Sequence, residues 1–486
     1  MNATNYPRLV VSGLSGDSGK TMVSCGLLSA FRSKGLSVCA FKKGPDYIDA
    51  AWLSLASGKP ARNLDTYLMG FAGARRSFIE SAFQDGINVI EGNRGLFDGV
   101  DTSGTHSTAE LAKLLKAPVI MTLNISKVTR TAAAEILGCM RLDPDLNIAG
   151  VILNRAANHR HGYVVKEAIE EVTGLPVLGV IPKLSSEAIL PSRHLGLITP
   201  DEFELSEIVM REAGKAVDDN VDVPAIIEIA NRFADQLEQS KPHTAGTSMQ
   251  SSSHRAMEDY PTRMRMGYFK DRSFSFYYPE NLEMLEAAGM ELISISPSHD
   301  VLPDHLDALY IGGGFPEMNL PSLISNQEMM KAVREAADDG LPIYAECGGL
   351  VYLAKCLEWN EKKYDLAGVL PIVVRMREKP QGHGYCEAVV DRENPFFKLG
   401  VTIRGHEFHY SSICLHDPEI RSSLSLTRGV GSFDRRDGLT YKNVFASYVH
   451  IHALATPQWV DGIVECAAEY VKLNNEKNLA VSVEGK

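Results

Sequence analysis

The sequence predicts an α/β protein of two domains, each built around a largely parallel sheet. Its 486 residues exceed the usual size of a single hydrophobic core. Short β-branched segments alternate with helical stretches in both halves, which is the pattern of parallel strands joined by covering helices. Residues 236–263 are polar and lack apolar periodicity, as in a flexible linker. We therefore expect domains over residues 1–235 and 264–474, with a tail over 475–486.

Six segments of the first half have the length and apolar content of buried parallel strands. They are residues 8–12, 37–41, 87–90, 118–123, 149–153 and 177–181. In sheets of this kind, ligands bind at the carboxyl ends of the strands. The segments that follow these strands are therefore the candidates for a functional site.

The segment from Gly13 to Thr21, Gly-Leu-Ser-Gly-Asp-Ser-Gly-Lys-Thr, lies between the first predicted strand and an amphipathic helix. Glycines let the backbone approach a phosphate, and the helix that follows begins with unpaired N–H groups. In a P-loop, the lysine bridges the β- and γ-phosphates and the next hydroxyl binds Mg²⁺. The leading glycine is displaced by one residue, in which the segment resembles the dethiobiotin-synthetase-like P-loop proteins. The predicted ATP-binding residues are Gly16, Ser18, Gly19, Lys20 and Thr21.

Acidic residues come directly after two of the predicted strands. Asp46 follows the second strand, and Glu91 and Asp98 follow the third. Carboxylates beside a triphosphate are typical of a Mg²⁺ site, although any one of them alone is equally typical of a helix cap. The predicted Mg²⁺ contacts, direct or through water, are Thr21, Asp46 and Glu91. The predicted site of substrate phosphorylation consists of Asp46, Tyr47, Arg94 and Asp98.

Four more strands are predicted in the second half, at residues 264–269, 291–296, 308–311 and 343–345. The third is followed by three glycines, and the backbone N–H groups of Gly313 and Gly314 are candidates for an oxyanion hole. The fourth ends in Ala-Glu-Cys-Gly-Gly, which places Cys347 on a tight turn before a helix. Because a helix N-terminus lowers the pKa of a thiol, we predict that Cys347 is a nucleophile. The other seven cysteines are expected to be buried and inert.

A cysteine nucleophile needs a base, and the fourteen histidines leave a choice. Residues 445–452 form a strand-like run in which His450 and His452 point the same way. The polar and aromatic segment Arg404–Ser411 precedes this run in the chain. Histidines packed under a loop are the alternative interpretation.

Composition excludes several classes of protein. A net charge of −12 argues against a nucleic-acid binder, whose contact surface would be basic. No apolar run approaches the roughly 20 residues of a membrane span, and no signal peptide precedes the first strand. The scattered cysteines indicate reduced thiols. We expect a cytoplasmic protein without nucleic-acid or membrane partners, and the sequence leaves a homo-oligomer open.

Taken together, these segments resemble the cobyrinate a,c-diamide synthase family of the cobalamin pathway, in which they occur in the same order. The resemblance covers nearly the whole chain except the linker and the tail after about Asn474. It implies a dethiobiotin-synthetase-like P-loop domain followed by a class I glutamine amidotransferase-like domain. The motifs that carry it are Gly13–Thr21, Lys43–Asp49, Glu91–Gly99, Gly312–Glu317, Ala345–Gly349 and Arg404–Ser411.

The resemblance implies an amide ligase that uses ATP, Mg²⁺, glutamine and a corrin polycarboxylate. ATP would activate the a and c acetate groups as acyl phosphates, and ammonia from glutamine would displace the phosphate. Cys347 would form a thioester, with His450 as its base. Ordinary triad amidotransferases have a glutamate where this chain has His452, and the cobyrinate branch is similar in lacking it, so a Cys–His dyad is expected. The candidate contacts for substrate carboxylates are Lys42, Lys43, Arg94 and Arg193, which are expected at the surface on loops near the strand ends.

Two kinds of alternative follow from the same residues. A related ligase for hydrogenobyrinate or Ni-sirohydrochlorin would share this chemistry, and the sequence leaves the macrocycle open. Cobyric acid synthase is similar in domain order, but the segment Gly44–Asp49 favours the a,c enzyme. A P-loop regulatory or partition ATPase with a vestigial amidotransferase domain is the alternative from a different class. Cys347 and His450 argue against it, as does Ser15 where partition ATPases carry a lysine.

Overall fold

The computed structural model describes residues 5–184, 190–193, 196–234, 263–418 and 420–484. The chain divides into two compact units, Met1–His243 and Thr244–Lys486. Except for Arg263, the predicted linker lies outside the described residues. The predicted domain limits therefore stay a prediction, and each unit is described by itself.

The first unit is built on a seven-stranded sheet in which every pair of neighbours is parallel, which confirms the predicted fold class. The order of its strands is β3-β2-β4-β1-β5-β6-β7. The strands are β1 Arg8–Gly13, β2 Val38–Lys43, β3 Arg62–Leu64, β4 Ile87–Glu91, β5 Val119–Asn124, β6 Ile148–Ala156 and β7 Val177–Pro182, and a separate hairpin pairs β8 Ser192–Arg193 with β9 Gly196–Leu197. The sequence did not predict β3, whose three residues are too few to show a periodic pattern.

Within the described residues of this unit, eight α-helices connect and cover the sheet. They are α1 Lys20–Ser33, α2 Tyr47–Ser57, α3 Gly70–Ser81, α4 Thr108–Leu114, α5 Thr131–Leu142, α6 His159–Thr173, α7 Ser206–Asn220 and α8 Val223–Arg232. Strands β1, β4 and β5 are buried almost throughout, as expected for a sheet covered on both faces. The carboxyl ends of β1, β2 and β4 are therefore fixed side by side by a rigid core.

The second unit contains a ten-stranded mixed sheet with the order β11-β10-β12-β13-β22-β21-β20-β17-β18-β23. Its first five strands are parallel, and the other five are antiparallel. A four-stranded sheet of order β15-β14-β16-β19 accompanies it. The strands are β10 Met264–Phe269, β11 Met290–Ile295, β12 Ala308–Ile311, β13 Ile343–Glu346, β14 Ala354–Trp359, β15 Lys362–Asp365, β16 Leu370–Met376, β17 Gly382–Val390, β18 Thr402–His409, β19 Ser411–His416, β20 Arg421–Arg428, β21 Arg436–Tyr441, β22 Val444–Ser447 and β23 His450–Ile451.

The α-helices that the structure describes in this unit are α9 Pro279–Ala287, α10 Leu320–Ser325, α11 Gln327–Asp338, α12 Gly348–Leu353 and α13 Gln458–Glu484. The four predicted strands correspond to β10 to β13, whereas the antiparallel extension was not predicted. The prediction of one strand over residues 445–452 is wrong, because Tyr448 and Val449 separate β22 from β23. Their backbone N–H groups bond to side chains instead, with Asp437 accepting from both.

Two general expectations concern the whole chain. Across the described ranges, none of the helices combines the length and apolar character that crossing a membrane requires. All eight cysteines are free thiols, and six of them are buried. Cysteines in this state agree with the reduced thiols that the sequence predicts.

Candidate active sites

The predicted P-loop forms a tight connection between β1 and α1, with a short 3₁₀ helix over Gly16–Ser18. Gly19 adopts a φ of 87°, and a Cβ there would lie 2.0 Å from the Asn154 side chain, so this position requires glycine. Ser18 Oγ accepts from the Ser15 N–H and donates to its carbonyl, which holds the loop closed. A Cβ added to Gly16 would meet no atom within 4 Å, so its bare backbone faces open space of the kind that a phosphate needs.

Lys20 begins α1 and folds back over this loop. Its Nζ donates to the Ser15 carbonyl oxygen at 2.8 Å, and its side chain is buried. Burial lowers the pKa of Lys20, and the positive charge of Lys42 lowers it further. The ammonium is thus held at the loop by a backbone carbonyl, in a place where an anionic ligand would stabilise it.

A buried network of charges lies beside the P-loop. Thr21 Oγ1 donates to Glu91 Oε1 at 2.8 Å, and Lys42 Nζ lies 2.7 Å from the same oxygen. Lys42 also bonds to Asp49 at 2.5 Å, and both Lys42 and Glu91 are fully buried. Burial raises the pKa of Glu91 to about 7, although Lys42 acts in the opposite direction. The ends of β2 and β4 are therefore joined by the Lys42–Glu91 ion pair, and the hydrogen bond from Thr21 joins them to α1.

Two of the three residues predicted to bind Mg²⁺ are in direct contact. Thr21 bonds to one oxygen of Glu91, and the other oxygen, Oε2, is buried and has no hydrogen-bond partner in the described part of the chain. Among the described residues, no group of three or more His, Cys, Asp or Glu side chains could hold a metal ion by itself. A site with few protein oxygens fits Mg²⁺, which keeps several waters and binds phosphate oxygens. Thr21 and Glu91 fit that requirement.

The other predicted residues of the phosphorylation site lie around the same edge of the sheet. Asp46 caps α2, because its side chain accepts from the Asp49 N–H at 2.9 Å, and burial together with Asp49 raises its pKa to about 6. Asp98 accepts from the Gly95 N–H at 2.8 Å, and its charge acts on Lys20. Tyr47 is the first residue of α2, and Arg94 is exposed. The roles assigned to these residues stay predictions.

The structure corrects the description of two candidate substrate contacts. Lys42 and Lys43 were expected on a loop, but both are the last residues of β2 and are buried. Lys42 is paired with two internal carboxylates, so it organises the site and is not available to a substrate. Arg94 is exposed as expected, whereas the side chain of Arg193 lies outside the described part of the chain.

Asn154 and Arg155 come directly after the predicted strand 149–153, and the structure brings them to the P-loop. They lie near the end of β6, where Asn154 Nδ2 donates to the Ser18 carbonyl at 3.3 Å. Arg155 forms a two-pronged pair with the Asp17 carboxylate at 2.9 and 3.0 Å. Asp49 was likewise missed as a partner of Lys42. The signal in the sequence for Asn154 and Arg155 was that two polar residues follow an apolar strand.

The second candidate site lies where β13 passes into α12. Cys347 adopts a φ of 48°, which is strained for a residue with a side chain and resembles a nucleophile turn. Its N–H donates to the Ser447 carbonyl at 2.7 Å, and its Sγ lies 3.7 Å from the Phe408 carbonyl oxygen. The prediction of a lowered thiol pKa is wrong. Burial raises the pKa of Cys347, Glu317 adds to this effect, and the N–H at the start of the six-residue α12 opposes it too weakly.

The glycine loop after β12 lies against His450 and against the residue that follows Cys347. A Cβ on Gly313 would lie 2.4 Å from Cε1 of His450 and 3.3 Å from its Nε2. A Cβ on Gly348, next to Cys347, would lie 3.0 Å from the backbone nitrogen of Gly314. A side chain at Gly313 would therefore collide with the imidazole, so this position requires glycine. The assignment of Gly313 and Gly314 to an oxyanion hole stays a prediction.

The orientation of His450, which the sequence left unexplained, follows from a residue that was missed. His450 Nδ1 lies 3.2 Å from Glu346 Oε2, and both side chains are buried. His452 lies elsewhere, with its Nε2 3.6 Å from Glu280 and its ring against Tyr278. The available signal for Glu346 was a carboxylate at the end of an otherwise apolar strand.

Comparisons with known proteins assign each unit separately. Residues 9–198 match the family model of the CobQ/CobB/MinD/ParA nucleotide binding domain. Residues 265–458 match that of the CobB/CobQ-like glutamine amidotransferase domain. The two matches contain the P-loop and the Cys347 turn, respectively.

Full-length relatives share both parts in the same order. A cobyrinate a,c-diamide synthase from Magnetococcus marinus is 38% identical over 453 residues, which cover 93% of this chain and 95% of that protein. Proteins of the same name from Dehalococcoides mccartyi and Syntrophotalea carbinolica are each 39% identical over 93% of this chain and 96% of their own length. Identity at this level across both units shows that the chain belongs to the cobyrinate a,c-diamide synthase family.

Proposed function

We propose that this protein uses ATP and glutamine to convert the a and c acetate carboxylates of cobyrinate into amides. The observation that carries the proposal is that residues suited to two chemically different steps occur in a chain that aligns almost from end to end with relatives of that name. The candidate site of the first unit has the cations and hydroxyl suited to a triphosphate. That of the second unit has a cysteine on a strained turn and a histidine whose ring lies against the glycine loop after β12. An amide ligase that takes its nitrogen from glutamine needs both.

The chemistry of the first unit is phosphoryl transfer to a carboxylate. An oxygen of the substrate carboxylate attacks the γ-phosphorus, the bond to the β-phosphate oxygen breaks, and ADP leaves with an acyl phosphate formed. Such a transition state is stabilised mainly by positioning and by neutralising charge. Lys20 and the N–H groups of the P-loop supply positive charge, and the charge of Lys42 opposes the rise in the pKa of Glu91 that burial causes.

Thr21 and Glu91 are the residues that would hold Mg²⁺, with Asp46 reaching it through water. When bound, the ion neutralises phosphate charge and orients the triphosphate. The protein's part is to keep the Thr21 hydroxyl and the second Glu91 oxygen at the carboxyl edge of the sheet. Arg94 and Asp98 lie on the loop after β4, where they are suited to orient a polycarboxylate.

The chemistry of the second unit is hydrolysis of glutamine. The Cys347 sulfur attacks the side-chain amide carbon after its proton passes to His450, and the same proton is then given to the departing ammonia. Water cleaves the resulting thioester and regenerates the thiol with release of glutamate. Ammonia attacks the acyl phosphate, so that an amide and inorganic phosphate are formed.

The test is product analysis by mass spectrometry with ATP, glutamine and a panel of tetrapyrroles. We expect a doubly amidated product from cobyrinate. In this product, each of two carboxyl groups has exchanged one oxygen for NH. Product only from hydrogenobyrinate or from Ni-sirohydrochlorin would retain the chemistry and change the substrate. No amidation of any macrocycle, with ATP hydrolysis intact, would contradict the proposal and favour a regulatory ATPase.

A further inference from the structure

The carboxylate of Glu346 is fixed from several directions. Its Oε2 lies 3.3 Å from the hydroxyl of Tyr310 and 3.2 Å from Nδ1 of His450. Its Oε1 accepts from the hydroxyl of Tyr344 at 3.2 Å and from the N–H of Ile451 at 3.3 Å. Each oxygen thus has two partners, which is what a fully buried carboxylate requires. The carboxylate has little freedom to turn away from the imidazole.

The backbone explains why this pair forms across 104 residues of sequence. Glu346 is the last residue of β13 and pairs in register with Ser447 at the end of β22. His450 follows that strand and pairs with His406 of β18. The strand that presents the carboxylate therefore also presents Cys347, the next residue, so that nucleophile and carboxylate are positioned by one strand end.

We propose that Glu346 is the positioning residue of His450 and completes a Cys–His–Glu arrangement from a different place in the chain. The carboxylate accepts from Nδ1–H and thereby holds the neutral imidazole in the tautomer whose Nε2 carries no proton and can accept one. The Cε1–Nε2 edge of the ring faces Gly313, beside the Cys347 turn. This inference rests on the proposed glutaminase role of Cys347 and His450.

The carboxylate acts on both proton transfers of the reaction. When the thiol proton passes from Cys347 Sγ to His450 Nε2, the imidazole becomes positively charged next to the negative carboxylate. When Nε2 gives that proton to the leaving ammonia, the neutral tautomer is restored with Nδ1–H still bound to Glu346. No proton needs to reach the carboxylate itself, as in the serine protease arrangement.

The titratable groups around His450 make the test interpretable. They are Glu346 on β13, which lies 3.2 Å from Nδ1, and His406 on β18, whose ring stacks on His450 at 4.9 Å. Burial lowers the pKa of His406 well below its usual value, so this ring takes up a proton less readily than an ordinary histidine. Burial raises the pKa of both Tyr310 and Tyr344, so they remain donors. Glu346 is the carboxyl group in hydrogen-bond contact with the imidazole.

Glu346→Gln keeps the shape of the side chain and removes its charge. We expect kcat/KM for glutamine hydrolysis to fall by roughly 10²- to 10⁴-fold, while amidation with ammonium chloride stays within about twofold of wild type. The acidic limb of the pH–rate profile should move to lower pH, because the variant lacks the negative charge that favours a protonated imidazole. Glu346→Asp, which restores the charge at a greater distance, should return the limb towards its original position.

Glu280→Gln is the matched control, since it removes a second buried carboxylate that lies beside a histidine in this unit. We expect its glutaminase rate to stay within about twofold of wild type and its pH profile to remain in place. A Glu346→Gln variant that loses rate without any shift of the acidic limb would indicate a purely structural role and overturn the inference. Equal losses in the Glu280 variant would do the same.

A spectroscopic measurement on the intact protein covers the case in which Glu346→Gln fails to fold. With ¹⁵N-labelled histidine, the wild-type protein should show a downfield Nδ1–H proton that is absent in His450→Ala. The absence of such a proton from the wild type, or its persistence in His450→Ala, would overturn the inference. The proposed function fails separately, when the wild-type protein forms no amide from any macrocycle.

Discussion

The two candidate sites differ in the groups that surround their buried carboxylates. In the first unit, Lys42 contacts the carboxyl groups of Glu91 and Asp49 inside the sheet edge, and the charges of these groups act on Lys20. In the second unit, one carboxylate, Glu346, is surrounded by hydroxyl, imidazole and backbone donors. A site that must hold a triphosphate needs stored positive charge, whereas a site that moves one proton needs an imidazole of fixed orientation.

The sites also differ in how the chain assembles them. Residues of the first site come from the carboxyl ends of neighbouring parallel strands, where any sheet of this topology gathers its loops. Residues of the second site come from β13 and β23, which do not neighbour one another in the sheet. Separate sites with separate chemistry should fail separately, and the following predictions test that independence.

The largest expected effect is the loss of glutamine use in Cys347→Ala. Without the sulfur no thioester can form, so glutamine-dependent amidation should fall by roughly 10⁵-fold or more. The same variant should still form diamide at high ammonium concentration and raised pH, because free ammonia needs only the acyl phosphate. Diamide yield with each nitrogen source measures both outcomes.

Two histidine variants belong with this experiment. His450→Ala should behave as Cys347→Ala does, since its proposed role is confined to the thiol and the leaving ammonia. His452→Ala should be milder, because His452 lies beside Glu280 and not beside the nucleophile turn. An inactive His452 variant together with an active His450 variant would reverse the choice of base.

The next effect in size is expected for Lys20→Ala, which removes the charge aimed at the transferring phosphate. Amidation should fall by roughly a thousandfold or more with glutamine and with ammonia alike, because both need the acyl phosphate. Glutamate release from glutamine should continue. Near-normal synthesis in this variant would contradict the P-loop assignment, and loss of glutamate release would break the separation of the sites.

A smaller effect is expected for Asp46→Asn and Asp98→Asn. Each should lower synthesis by roughly tenfold to a hundredfold and leave glutaminase activity nearly unchanged. Asparagine is as good an N-cap as aspartate, so Asp46→Asn removes the charge while keeping the cap of α2. Thermal unfolding would verify that α2 is intact. Loss of glutamine hydrolysis with an unchanged fold would show that the assignment of these acids to the phosphorylation site is wrong.

The smallest effect concerns stability and comes from His406. Burial lowers its pKa well below the usual value of about 6.5, and repulsion from other histidines adds to this. The unfolded chain takes up a proton at this position below about pH 6.5 that the folded protein does not, so the free energy of unfolding should decrease as pH falls. His406→Gln should flatten this dependence.

The measurement is the midpoint of thermal unfolding at about pH 7.5 and about pH 5.5, on either side of the ordinary histidine pKa. The exposed His159 provides the control, because a His159→Gln variant should keep the wild-type dependence. An unchanged pH dependence in His406→Gln would show that His406 is already protonated in the folded protein.

Much of the first unit was predictable because its signals are local. A P-loop is a contiguous segment, and the parallel strands appear as separate apolar runs, so β1, β4 and β5 were predicted to within one residue at each end. The position of β2 was less accurate, because two lysines at the end of a strand look like a loop. Burial of those lysines becomes evident only when Asp49 and Glu91 are placed against Lys42.

In the second unit, the parallel strands and the Cys347 turn were predicted, and the antiparallel extension was not. Strands β17, β18, β20 and β21 bury one face or part of one, and several of their pairing partners lie far away in sequence. Alternating polar and apolar residues of this kind specify a strand without specifying its neighbour. The prediction of a single strand that carries His450 and His452 was wrong for the same reason. The Asp437 side chain, which is distant in sequence from β23, accepts hydrogen bonds from the backbone N–H groups between β22 and β23.

The sequence by itself determined the fold class, the phosphate-binding loop, the nucleophile turn and the family, because each is written in short segments whose order is fixed by the chain. Only the tertiary structure decided which charges neutralise one another and which carboxylate faces His450. Those pairings depend on strand register and burial across many tens of residues, and the pKa of a thiol or a lysine is set by the surroundings that burial creates. The raised pKa of Cys347, opposite to the direction expected from its helix, is the clearest example.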